Sequence, residues 1–179
     1  MIVLTTCRRP TQRIRSFTKD LSNLHPTTRL LTRGKMGLVD LVAAARSLKS
    51  DHVAIISRFM GGPGRIDFLK LNPVALLELT LYLKAVKLRR EYGTCHSCRP
   101  MIVTVPVNVR SDTAKFARWY AELFAVRLSS ESSSNTNASI HMSEESNTIR
   151  VAVISPSAET VGPSYDISRI DWGPADTAE

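Results

Sequence analysis

IVLTTCRRPTQRIRSFTKDLSNL, residues 2–24, carries three local signals in a row. Ile2–Thr6 is a short, largely β-branched run and reads as a strand. Arg8-Arg9-Pro10 then breaks the run with two cations and a proline. Thr11 follows as a helix cap, and Ile14, Phe17, Leu21 and Leu24 recur at helical spacing on one apolar face. His25-Pro26 ends that helix. A strand, a basic turn and an amphipathic helix in this order open an α/β unit.

The rest of the first hundred residues extends the unit. Arg29–Thr32 reads as a second, short strand, and Gly34 and Gly37 bracket a turn. Leu38, Leu41, Val42, Ala45 and Leu48 form the stripe of a second helix. Val53–Ile56 is continuous, apolar and β-branched, as expected of a buried parallel strand. Gly61-Gly62-Pro63-Gly64 is expected to be a turn. Ile66, Phe68 and Leu71 then read as a strand that pairs back on its predecessor. Residues 74–90 fit either a strand or a helix face. The longer alternation, Leu77 to Leu83 against Glu78 to Lys84, selects strand.

A polar break at Tyr92–Pro100 divides the chain. Met101–Val105 starts again as a strand, and Ser111 or Asp112 is expected to cap a helix with Phe116, Trp119, Tyr120, Leu123 and Phe124 on its apolar face. Ser129–Ser134 reads as a polar loop. Ile140 to Val153 reads as a hairpin and Tyr165–Trp172 as a last strand. The expected fold class is α/β, with two similar halves, each a small mixed sheet with helices. Residues 1–95 would form a basic N-terminal half, 96–172 the C-terminal half and 173–179 a loose tail.

Charge separates the halves as well. The net charge is +8, but residues 1–100 hold 18 Lys and Arg against 6 Asp and Glu, and residues 101–179 hold 6 against 10. A domain-sized positive field attracts polyanions. No apolar run approaches the ~18 residues of a membrane span, and the basic residues follow the first apolar stretch, the reverse of a signal peptide, so a cytoplasmic protein is expected.

The cations concentrate where anions bind. Segments that follow parallel strands gather at one edge of an α/β sheet, where helix N-termini add their positive dipole ends. Arg8, Arg9, Arg33 and Lys35 lie on two such segments, and Arg13, Arg15, Lys19 and Arg29 extend the basic character. Gly34 and Gly37 would let the backbone approach a phosphate closely. Lys84, Lys87, Arg89 and Arg90 form a second basic group on the strand read over 74–90. They would either widen the groove or shield an edge strand. Aromatic residues are only 6% of the chain and mostly fall on core faces, which favours backbone and shape recognition of nucleic acid over base stacking.

Catalytic patterns are missing: there is no Walker loop, no nucleophile elbow and no paired zinc-ligand motif. Cys95-His96-Ser97-Cys98 is compatible with incidental thiols, a local disulfide or half a metal site. The expectation is a non-enzyme with no cofactor, no metal, no membrane partner and no small-molecule substrate. A redox or metal protein using Cys95 and Cys98 is the alternative of another class.

Thr5-Thr6-Cys7-Arg8-Arg9-Pro10-Thr11-Gln12-Arg13-Ile14-Arg15-Ser16-Phe17-Thr18-Lys19-Asp20-Leu21 resembles the opening of the Brix domain, T-S-R-x-P-S-x-R-T-R-x-F-x-K-D-L. His25-Pro26 and Arg33-Gly34-Lys35 are similar to that family's following elements. Cys7 stands where the family usually has serine, and Asn72-Pro73-Val74 stands in place of its G-P-T. The short chain resembles the archaeal members. The resemblance implies a ribosome biogenesis protein that binds ribosomal RNA precursors and assists rRNA processing or subunit assembly, alongside ribosomal proteins or other assembly factors. It also implies halves similar to the anticodon-binding domain of class II aminoacyl-tRNA synthetases, so a tRNA-binding module is the closest alternative.

Overall fold

The computed structural model describes residues 1–59, 61–93, 102–130 and 138–174. The chain divides into two compact units, one comprising Met1–Ser22, Thr27–Leu83 and Arg169–Glu179, the other Asn23–Pro26 and Lys84–Ser168. Both are mixed α/β.

In the first unit, β1 (Ile2–Thr6) leads through α1 (Gln12–Leu24) to β2 (Thr28–Leu30), and β2 leads through α2 (Leu38–Ser47) to β3 (His52–Phe59). β1 lies between β2 and β3 and is parallel to both, with Ile2 opposite Thr28 and His52. Parallel neighbours need crossover connections, which the two helices supply. β4 (Gly62–Lys70) pairs antiparallel with β3, and β5 (Leu76–Lys87) pairs antiparallel with β4. The strand order is β2-β1-β3-β4-β5. The alternation at Leu77–Leu83 thus belongs to a strand.

Pleating sends Val3, Val53, Ile55 and Leu69 to one face, where they bury Leu41 and Ala45 of α2. Ile2, Leu4, Ala54 and Ile56 point the other way and are buried too. That leaves their face to α1, whose Ile14 and Phe17 are fully buried. Leu38 is half exposed, so the α2 stripe is one residue shorter than its sequence suggests.

The glycine-rich segment corrects the sequence reading. Only Gly61, at φ 87°, is in a turn conformation; Gly62, Pro63 and Gly64 already belong to β4. A bulge between Ser57 and Arg58 brings Pro63 opposite Arg58, a place where a missing N–H is tolerated. Gly64 is required by contact: a Cβ there would lie 2.2 Å from the Phe59 Cβ. Arg89 and Arg90 stand on a 3-10 turn, Arg89–Tyr92, rather than on a strand, so they do not alternate faces with Lys84 and Lys87.

In the second unit, β6 (Ile102–Thr104) leads through α3 (Ser111–Phe124) to β7 (Arg127–Ser129), a strand the sequence reading missed. β7 is short and its Leu128 is exposed, so it carries no apolar signal. β8 (Ser139–Glu145), β9 (Thr148–Ile154) and β10 (Thr160–Trp172) follow, and β10 starts five residues before the expected Tyr165. β6 is parallel to β7 and β8, while β8–β9 and β9–β10 are antiparallel. The order is β7-β6-β8-β9-β10. Neither Ser111 nor Asp112 caps α3. Glu144 of β8 lies beside the start of the helix, accepting from the Arg110 N–H at 2.8 Å and the Thr113 hydroxyl at 2.5 Å. The Thr113 hydroxyl and the Arg110 groups hold the Glu144 carboxyl below the usual carboxylate range. Gly173, where a loose tail is expected to begin, is tied into the first unit. The Gly173 N–H donates to the Glu78 carbonyl at 2.8 Å, and a Cβ there would lie 1.8 Å from the Leu77 oxygen.

His25 is buried in the second unit, with Nε2 2.8 Å from the Tyr120 hydroxyl and its ring stacked on Phe124 at 3.9 Å. Burial lowers its pKa to about 3. The unfolded chain therefore takes up a proton near pH 6.5 while the folded chain does not. Stability is complete above pH 6.5 and falls as the pH drops towards 3, by roughly 2 kcal/mol at pH 5. Urea unfolding at pH 7.5 and pH 5 should show that loss in the parent and a reduced loss in His25→Gln. An equal loss in both proteins would assign it to other groups.

Candidate nucleic-acid interface

β1 and β2 run parallel, so the loops at their carboxyl ends meet at one edge of the first unit. A cavity of about 320 Å³ opens there. The end of β1 contributes Thr6, Cys7 and Arg8, and the first turns of α1 contribute Arg15, Thr18 and Lys19. The end of β2 and its following loop contribute Leu30 to Gly34. Four cations, Arg8, Arg15, Lys19 and Arg33, therefore surround one hollow, and no acidic residue lines it.

Local sequence explains the convergence. Arg15 and Lys19 are four residues apart and share one helix flank. Gly34 adopts φ 55°, which turns the chain just after Arg33. Arg8 and Arg33 each donate Nε to the carbonyl of Met36, at 3.3 Å. One backbone oxygen thus anchors guanidinium groups from two loops.

The other basic residues of the sequence reading lie around this hollow rather than in its wall. Arg9 and Lys35 are exposed on the same two loops, and Arg29 is exposed on β2 at the sheet edge. Arg13 is half-buried on α1. Two N–H groups of the expected cradle are engaged within the protein. Thr11 Oγ1 accepts from the Ile14 N–H at 3.3 Å, and Asp40 accepts from the Gly37 N–H at 3.0 Å. Gly37 therefore serves its own helix. The sequence reading missed the apolar wall of Cys7, Pro10, Leu30 and Leu31. Their position at strand ends was the available signal, since ligands in open α/β sheets bind outside carboxyl ends.

Cys95 and Cys98 lie outside the described residues. Among the described residues, no group of three His, Cys, Asp or Glu side chains is close enough to hold a metal. No helix among them is long and apolar enough to cross a membrane.

No family model matches the chain. Over 129 residues it is 36% identical to a probable Brix domain-containing ribosomal biogenesis protein of Thermococcus kodakarensis, covering 69% of this chain and 62% of that protein. The protein of the same description from Pyrococcus furiosus is 35% identical, with 69% and 58% covered. The match thus spans less than two thirds of either relative's length. Among solved structures, a probable ribosomal biogenesis protein from Aeropyrum pernix superposes with a TM-score of 0.75 at 25% identity, covering 99% of this chain and 98% of that one. An archaeal Imp4-like protein shares the fold, with a TM-score of 0.68 at 21% identity over 96% and 99% of the two chains.

Proposed function

Because this chain belongs to the Brix-domain family, we propose that it is a ribosome-assembly factor that binds precursor ribosomal RNA through the cavity edge of its first unit. The observation that carries this reading is the convergence of Arg8, Arg15, Lys19 and Arg33 on one hollow with no carboxylate in its wall. Arg9, Arg13, Arg29 and Lys35 are the flanking contacts. The protein acts in the cytoplasm by holding RNA rather than by catalysis, beside ribosomal proteins or other assembly factors.

The two units support a division of labour. β1-α1-β2-β3-β4-β5 and β6-α3-β7-β8-β9-β10 share strand order and strand directions, and among the described residues α2 has no counterpart in the second. We read this as a duplicated α/β half of the anticodon-binding type, the basic copy spanning 1–95 and the other 96–172. The copies differ at the end of the helix that follows the first strand. The first turn of α1 contains no acidic residue, whereas the N-terminus of α3 is occupied by Glu144. A carboxylate already seated there repels phosphate, so the RNA edge belongs to the first copy alone.

The test is RNA binding over a salt series, using ribosomal RNA fragments, tRNA and random RNA. Four phosphate contacts predict a log–log slope of roughly −3 to −3.5. Preference for ribosomal fragments supports assembly, and preference for tRNA would replace it with the tRNA-binding reading. Absent or salt-independent binding would overturn the cavity edge as an RNA site.

A further inference from the structure

The cavity holds more room than a phosphate requires, and a third of the residues that line it are apolar. Cys7, Pro10, Leu30 and Leu31 form that part, and Leu30 keeps 48% of its surface exposed while surrounded by cations. Aliphatic surface beside guanidinium groups in one hollow fits a ligand that is itself amphipathic. At about 320 Å³ the hollow stands at the small end of ligand pockets, about 300 Å³ upward. It suits one planar ring system with its sugar and does not suit a double helix.

We propose that this cavity receives a single unstacked nucleotide of the RNA, its base against the Cys7, Leu30 and Leu31 wall and its flanking phosphates on the Arg8/Arg33 and Arg15/Lys19 sides. The proposal rests on the RNA-binding reading above and adds the form of RNA taken: a bulge, loop or single strand in preference to continuous duplex. An A-form duplex presents backbone and a shallow groove, and only a splayed nucleotide can reach into such a hollow. The scarcity of exposed aromatic rings fits this assignment, because the base is enclosed by aliphatic groups instead of stacked on a platform. The Thr6 and Thr32 side chains border the same space and offer hydroxyls to a base edge.

The test uses the full chain and three RNA hairpins: fully paired, with a one-nucleotide bulge, and with an abasic residue at that bulge. Bulged RNA should bind at least 10-fold more tightly than the paired hairpin, and the abasic form should fall back towards the paired one. In Cys7→Phe, which fills the hollow, the preference for the bulge should shrink towards one. Cys7 also supplies a readout that needs no change at the pocket. In a Cys95→Ser/Cys98→Ser protein saturated with each RNA, the bulged hairpin should slow alkylation of the Cys7 thiol by N-ethylmaleimide at least 5-fold, and the paired hairpin should not. Equal affinities with an unprotected thiol would overturn the nucleotide pocket. If charge reversal of Arg8 and Arg33 still weakened binding, the phosphate edge would stand without it. If none of the RNAs bound, both readings would fall.

Discussion

Arg8→Glu/Arg33→Glu should lower affinity for a ribosomal RNA fragment by about 100-fold or more near physiological salt, since each lost charge-assisted contact is worth roughly 1.5–3 kcal/mol. It should also flatten the salt slope by about 1.4 to 1.8, two phosphates' share of counterion release. Both residues lie in the wall of one cavity and share the Met36 carbonyl, so the double change removes a single cluster. The control is Arg118→Glu/Arg127→Glu, which makes the same change in net charge at exposed sites in the second unit. A local site predicts a small effect there. Matching losses in the two proteins would mean that RNA responds to the overall field and that the cavity is not its seat.

Phe17→Ala should destabilise the protein by about 3–5 kcal/mol, or roughly 10 °C in melting temperature for a chain of this size. Phe17 is fully buried and lies in α1 between Arg15 and Lys19 in sequence. Removing its ring leaves a void that the rigid sheet beneath cannot close. The same helix presents two of the four cavity cations, so RNA affinity should weaken before global unfolding, as the temperature is raised. Phe17→Leu should restore most of the stability. A loss below about 1 kcal/mol in Phe17→Ala would mean that α1 is not anchored by this ring.

The first unit was largely legible because its signals are local. A β-branched run before Arg8-Arg9-Pro10 and apolar residues at helical spacing suffice for β1 and α1. Alternation from Leu77 to Leu83 suffices for β5. The misses depend on partners distant in sequence. β7 forms because the backbone of β6 is there to pair with it, and its own side chains announce nothing. Gly62-Pro63-Gly64 looked like a turn because glycine and proline punctuate locally. A bulge in β4, where Gly64 is the extra residue opposite Ser57 and Arg58, accommodates them in a strand. Glu144 meets the start of α3 from more than thirty residues away, beyond any pattern read along the chain. At the candidate site the cations were visible as a charge cluster. The apolar wall was not, because Cys7 and Leu30 look like ordinary strand residues until the two strand ends are brought side by side.

The tether on Met36 bears on the timing of any encounter. A guanidinium already fixed to a backbone oxygen surrenders little rotational freedom when an anion arrives. Capture speed is then set by the broad positive field of the first hundred residues, which salt weakens. Under the proposed RNA reading, residence time follows how firmly the 33–37 loop holds its two arginines in place. Loosening that loop would shorten the lifetime of the complex while leaving its rate of formation almost untouched.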